Sequence, residues 1–183
     1  MKTDNIERYL ESFGKQVVNR AKGNLQKAKG GGSKLEKSLK FEVLANKDGF
    51  TVQFYMSNYG TFVDKGVSGV NKERNFKDYK GRIITSPYAF GTGSSLVGKS
   101  KGGMSGIMSR WVKSKGFQWK DKKTGRFMSH KSMGYIIARS IFSKGIQGIS
   151  FFQKPLGLGL KQFGKDLLGN VTEDIIEGLT KVK

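Results

Sequence analysis

Between Arg110 and Phe127 the chain runs Arg110-Trp111-Val112-Lys113-Ser114-Lys115-Gly116-Phe117-Gln118-Trp119-Lys120 and continues through Lys122, Lys123 and Arg126. Lysine and arginine attract phosphate oxygens whatever the base sequence, and aromatic rings set between them offer planes on which exposed bases stack. That combination predicts contact with an anionic backbone, DNA or an acidic partner, without base readout. The contacting groups expected are Arg110, Lys113, Lys115, Lys120, Lys122, Lys123 and Arg126. The competing interpretation puts Trp111 and Phe117 in the core and leaves the lysines as a solvated face or a subunit interface. Trp111 falls on the apolar stripe of its helix, which favours the core for that ring.

Other chemistry is thinner. Gly93-Ser94-Ser95-Leu96-Val97-Gly98-Lys99-Ser100 has the spacing of a phosphate-cradling P-loop. A P-loop needs a buried strand before it and a helix starting at its lysine, yet Lys101-Gly102-Gly103 follows, so nucleotide binding is not expected. Acid–base catalysis needs paired carboxylates or a histidine oriented by an acid. The single histidine, His130, has no acid within eight residues on either side and is expected in an exposed loop. Glu173, Asp174 and Glu177 have the spacing of a magnesium cluster, but that spacing also fits the polar side of a helix, and a solvated face is expected. Without cysteine, thiolate sites and disulfides are excluded. No catalytic residue, metal site or cofactor is expected, and the chain is read as a non-enzyme.

The charge is segregated. Of the formal +20, +15 falls in the 89 residues from Gly66 to Lys154, where 18 Lys and Arg face three acids, Glu73, Asp78 and Asp121. Such a bias sets up a directed field and predicts an anionic neighbour. At 183 residues the chain suffices for one domain with a core, while an apolar fraction of 36% and 26 glycines predict long loops. No apolar run is long enough to span a membrane, and the polar opening residues predict no secretory signal.

The positioning elements follow from periodicity. Ile6, Leu10, Phe13, Val17, Ala21, Leu25 and Ala28 recur at helical spacing, predicting a helix over 4–29 capped by Thr3 or Asp4 and ended at Gly30-Gly31-Gly32-Ser33. The period then becomes two: Leu39, Phe41, Val43, Ala45, and again Phe50, Val52, Phe54, Met56, joined by the turn Asn46-Lys47-Asp48-Gly49. A short helix is expected over 58–65, presenting Tyr59, Phe62 and Val63. From Gly66 to Lys101 periodicity fades into a polar, glycine-rich stretch. Met104, Ile107, Met108, Trp111 and Val112 restore a helix, and 119–127 reads as a polar turn. A helix over 131–144 should turn Met133, Ile136, Ile137 and Ile141 inward. Leu160, Phe163, Leu167, Val171, Ile175, Leu179 and Val182 predict a C-terminal amphipathic helix. The expected fold is α+β, a single domain over 1–183. The two end helices could pack on the same hairpin or on a neighbouring copy.

Three segments carry a resemblance. They are Tyr59-Gly60-Thr61-Phe62-Val63-Asp64-Lys65-Gly66-Val67-Ser68-Gly69, then Trp119 to Ser129, then Ile136-Ile137-Ala138-Arg139-Ser140-Ile141 followed by Lys144-Gly145-Ile146 and Phe151-Phe152-Gln153-Lys154-Pro155-Leu156. Their order behind a helix and a hairpin resembles small virion proteins of tailed bacteriophages, of the head–tail joining or tail-completion kind. The first segment departs from the usual Gly-Thr ending, with Val67-Ser68-Gly69 after Gly66, and the stretch from Val70 to Lys101 is longer than in compact members. The resemblance implies a virion protein of the head–tail junction, made in the host cytoplasm. It would form a homo-oligomeric ring of twelve- or six-fold symmetry beside the portal or adjacent neck and tail proteins, touching packaged DNA non-specifically and no membrane. Residues 66–130 would be a basic, loop-rich insertion or inter-subunit arm, and Tyr59, Phe62, Val63, Phe151 and Phe152 subunit-interface or core anchors. Twelve copies at +20 would total about +240, a field that calls for an anion nearby. The alternative is a free nucleic-acid-binding protein of phage replication or packaging, and a small nuclease is disfavoured by the missing carboxylate–histidine set.

Overall fold

The computed structural model describes residues 4–46, 49–91 and 103–180. In chain order the elements are α1 (Asp4–Lys29), α2 (Lys34–Ser38), β1 (Lys40–Asn46), β2 (Gly49–Tyr55), α3 (Gly60–Lys65), β3 (Gly66–Val67), β4 (Asn75–Lys77), β5 (Ile83–Thr85), α4 (Gly103–Ser114), α5 (His130–Lys144), β6 (Ile146–Gln147) and α6 (Gln153–Thr180). Helix and small antiparallel sheets are mixed along the chain, with long helices near both ends, the α+β class expected. The chain divides into two compact units. The first takes Met1–Asp64, Phe76–Ile84 and Ile149–Lys183, the second Lys65–Asn75 and Thr85–Gly148.

In the first unit α1 buries Leu10, Phe13, Val17, Val18, Ala21 and Leu25. Full burial of one Val, Leu or Phe side chain contributes about 1.5–3 kcal/mol, so packing rather than intrinsic propensity holds this helix. Gly30, at φ +78°, ends it by donating its N–H to the Gln26 carbonyl at 2.8 Å, the left-handed stop that glycine accepts without a Cβ penalty. The helix α2 was not expected. Ser33 caps it, its Oγ accepting the Glu36 N–H at 3.2 Å while the Glu36 carboxylate accepts the Gly32 N–H at 2.9 Å. β1 and β2 pair antiparallel with Phe41 opposite Phe54, Val43 opposite Val52 and Asn46 opposite Gly49, while Lys47 and Asp48 of the expected turn lie outside the described residues. Phe54 meets Phe13 and Phe152 edge-on, at ring-centre distances of 6.5 and 5.3 Å.

The two end helices pack on each other within one chain. Phe163 of α6 stands 4.8 Å from Phe13 and 5.7 Å from Tyr9, ring centre to ring centre. The α1 cap comes from this neighbour: Asp174 accepts the Asn5 and Ile6 N–H groups at 3.3 and 3.1 Å and is 1% exposed. The expected solvated acidic face is corrected here. Asp174 faces α1, Glu173 is exposed, and the side chain of Glu177 lies outside the described residues, as do Thr3 and Val182. Of the residues on the expected α6 stripe, Leu160 and Ile175 are exposed, and the helix begins earlier, at Gln153.

In the second unit α4 packs on α5 with Val112, Met133 and Ala138 buried. A Cβ at Gly134 would run into the Ser109 backbone, so the helices touch main chain to main chain there. That contact fixes which side of α5 faces inward. Ile136, expected inside, is 46% exposed, whereas Met133, Gly134 and Ala138 are buried. Part of the expected glycine-rich stretch is ordered: β3 pairs antiparallel with β6, Gly66 opposite Gln147 and Val67 opposite Ile146, and Ser68 bridges Ala89 in parallel. β4 pairs with β5, and the tip between them, Phe76–Ile84, belongs to the first unit. The P-loop-like run Gly93–Ser100 lies outside the described residues.

Candidate functional site

All seven basic residues expected to meet an anion, Arg110, Lys113, Lys115, Lys120, Lys122, Lys123 and Arg126, are exposed in the second unit. They lie on the last two turns of α4 and on the segment that follows. Residues 119–128 fold as a small hairpin rather than a simple turn. Lys120 bridges Phe127 antiparallel, Met128 donates its N–H to the Trp119 carbonyl at 2.8 Å, and Asp121 donates its own to the Arg126 carbonyl at 2.9 Å. The Lys120 ammonium lies 5.1 Å from the centre of the Phe127 ring, within cation–π range.

Asp121 is the one acid among these cations, and the turn consumes it. Its Oδ1 accepts the Thr124 N–H at 2.9 Å, the Thr124 hydroxyl at 3.1 Å and the Lys123 N–H at 3.0 Å. Those donors, the Thr124 N–H foremost, hold its carboxyl below the ordinary carboxylate value. The carboxylate therefore organises the loop from inside rather than neutralising the ammonium and guanidinium groups outside it. Within the second unit as a whole, fifteen Lys and Arg face two acids, Glu73 and Asp121.

The aromatic rings sit differently from the core placement weighed for them. Trp111, Phe117 and Trp119 are each 41% exposed, and Phe127 is 64% exposed. Trp111 and Phe117 pack edge-on at 5.3 Å, and it is the adjacent Val112 that occupies the buried position. The surface thus combines cations with accessible ring faces.

The anchor residues separate into two groups. Phe151 and Phe152 are core, at 0% and 9% exposure, and Val63 packs against that core, while Tyr59 and Phe62 are at the surface. Between Val63 and the glycine of the same segment stands a residue that sequence reading did not single out. Asp64 is 2% exposed and its Oδ1 accepts the Phe152 N–H at 2.8 Å. Beside it, Ile149 donates to the Val63 carbonyl at 3.1 Å and Ser150 to the Asp64 carbonyl at 2.9 Å. Gly66 follows at φ +80°, where a Cβ would meet the Ile146 and Gly148 backbone. The available signal for Asp64 was an acid directly after Phe62-Val63, on the apolar side of a short helix.

His130, expected in a loop, is instead the first residue of α5 and half-buried, behind the cap in which Ser129 Oγ accepts the Ser132 N–H at 3.1 Å. Among the described residues no three His, Asp or Glu side chains are grouped to hold a metal ion, and no helix is long and apolar enough to cross a membrane. Comparison with family models, curated proteins and solved structures finds no match to this chain.

Proposed function

We propose that the protein is a non-enzymatic virion structural protein of a tailed bacteriophage. It is a ring-forming neck component of the tail-completion kind, joining the portal vertex to the tail around the DNA channel. The observation that carries this is the meeting of the first and third resembling segments. Val63 and Asp64 bond to Ile149, Ser150 and Phe152, and Gly66-Val67 pairs with Ile146-Gln147. Of the residues quoted for the resemblance, Asp64 and Phe152 thus meet in a joint within the first unit, and Gly66-Val67 and Ile146 meet within the second, which supports this reading. In this role the cations from Arg110 to Arg126 face packaged DNA or an acidic neighbouring ring, and Tyr59 and Phe62 stand where a second copy would cover them.

The exposed rings beside the lysines favour a second function, a free single-strand nucleic-acid binder of replication or packaging, because Trp119 and Phe127 are open to stacking bases. Electron microscopy of purified particles, with size-exclusion chromatography and light scattering of the isolated chain with and without DNA, separates the two. The neck role requires the protein on the portal axis of the particle. A chain absent from particles that binds DNA as a monomer or dimer with a steep salt dependence would refute it.

A further inference from the structure

A second cationic surface lies in the first unit, distant in sequence from Arg110–Arg126. Lys77, Lys80, Lys154 and Lys161 stand around a cleft of about 380 Å³ between the β4–β5 tip and α6. The cleft is built rather than incidental. Tyr79 donates its N–H to Gln153 Oε1 at 3.1 Å, and Gly157 passes so close that any Cβ would collide with the Tyr79 carbonyl. The tip is therefore fastened to the helix at two points. Its own turn is closed by Asp78, which donates its N–H to the Arg82 carbonyl at 2.9 Å and accepts the Gly81 N–H at 3.0 Å on its carbonyl.

Asp78 is the one acid lining this cleft among the described residues, and it is already engaged. Its carboxylate accepts the Arg82 backbone N–H at 2.8 Å and Nε at 2.9 Å, with Nη2 of the same residue 2.8 Å away. That pairing also takes up the arginine at the tip. What remains is four exposed lysines with no carboxylate partner among the described residues. Four like charges around one cleft repel one another until an anion enters.

We propose that this cleft binds the phosphodiester backbone of DNA, with Lys77, Lys80, Lys154 and Lys161 each supplying a point charge to phosphate oxygens. Lysine ammonium groups suit phosphates approached from varied directions. A carboxylate-bearing partner is served better by the planar fork of arginine, and Arg82 is not available for it. The site depends on the cleft's own geometry and not on assembly into a ring.

The test uses the full-length chain carrying Lys77→Gln, Lys80→Gln, Lys154→Gln and Lys161→Gln, titrated with a fluorescent DNA duplex over a salt series. For every phosphate that the variant no longer neutralises, the slope of log K against log salt should flatten by about 0.9, and affinity at low salt should fall by about tenfold or more. A control carrying Lys15→Gln, Lys27→Gln, Lys34→Gln and Lys37→Gln removes the same charge from elsewhere in the unit and should change the slope by less than about 0.9 in total. Gly157→Ala, which displaces the tip while keeping every charge, should weaken binding in the same direction. Circular dichroism confirms that each variant is folded. An unchanged slope in the cleft variant, or an equal loss in the control, overturns the proposal. So does intact DNA binding with lost binding to polyglutamate, which would mark the cleft as a contact for an acidic protein.

Discussion

Replacing Asp64 by alanine and by asparagine gives two different losses, and the difference reads out what the buried acid does. Its Oδ1 accepts the Phe152 N–H at 2.8 Å where both residues are shielded, at 2% and 9% exposure. Alanine removes a charge-assisted acceptor and leaves a buried N–H without its partner, together about 2–4 kcal/mol. Asparagine keeps an oxygen in the same place and loses only the charge assistance, about 1 kcal/mol. With a urea dependence of about 2 kcal/mol per molar, the alanine variant should lose about 1–2 M in midpoint and the asparagine variant about 0.5 M. Because the chain has two units, amide hydrogen exchange at Phe152 is the sharper assay, and alanine should speed it by about 30-fold or more. An alanine variant within about 0.5 kcal/mol of the parent would refute the joint. Asparagine as damaging as alanine would mean that the charge, not the acceptor oxygen, carries the effect.

Asp174→Ala removes the acceptor of two N–H groups at the start of α1 and should cost about 1–2 kcal/mol, with faster exchange at Asn5 and Ile6; no change in either would mean the cap is idle. Gly134→Val pushes a branched side chain into the Ser109 backbone and should destabilise the second unit by about 1–3 kcal/mol, followed by the fluorescence of Trp111 and Trp119. For pH, the folded carboxyl of Asp121 lies below its ordinary value of 3.8, so the stability it lends is complete above that value and disappears as pH falls through the folded one. Acid titration followed at the Thr124 amide should therefore open the hairpin over 119–128 below about pH 4, and Asp121→Asn should remove that transition. Asp78 follows the same sign: burial works to raise its carboxyl, but hydrogen bonds from Arg82 and the charge of that guanidinium outweigh it, and Asp78→Asn should abolish the acid response of the β4–β5 tip.

Local, repeating patterns were legible, and solitary long-range contacts were not. The stripe from Leu10 to Leu25 declares α1 because every third or fourth position is apolar, and the alternation through Phe41 and Phe54 declares the hairpin. The helix α2 escapes notice although Ser33 and Glu36 stand at capping distance, since a five-residue helix has no stripe to show. Strands β3 to β6 are two or three residues long, too short for a period of two to emerge, and β3 finds its partner β6 far along the chain. Gly157 and Gly159 precede the expected stripe and carry no side chain to extend it, yet they are where α6 meets the Tyr79 carbonyl and the Phe13 ring. Asp174 sits 168 residues from Ile6, whose N–H it accepts, and nothing near it in sequence announces that partner. Among the basic residues the charge was legible at once. The exposure of Trp111 was not, because Val112 beside it competes for the same inward turn of α4.

The same reasoning explains why the first resembling segment has an acid and then a glycine. The chain passes from the first unit to the second after Asp64 and returns for good at Ile149, so two distant stretches must be brought side by side. Closing so long an excursion costs chain entropy that local contacts have to offset. On the first unit's side, Asp64 does this through its carboxylate to Phe152 and its carbonyl to Ser150. On the second unit's side, Gly66-Val67 does it by pairing with Ile146-Gln147, at a spacing that leaves no room for a Cβ on Gly66. An acid serves where a buried N–H needs a strong acceptor, and glycine where two backbones must touch. That requirement is structural, and the cations from Arg110 to Arg126 take no part in it.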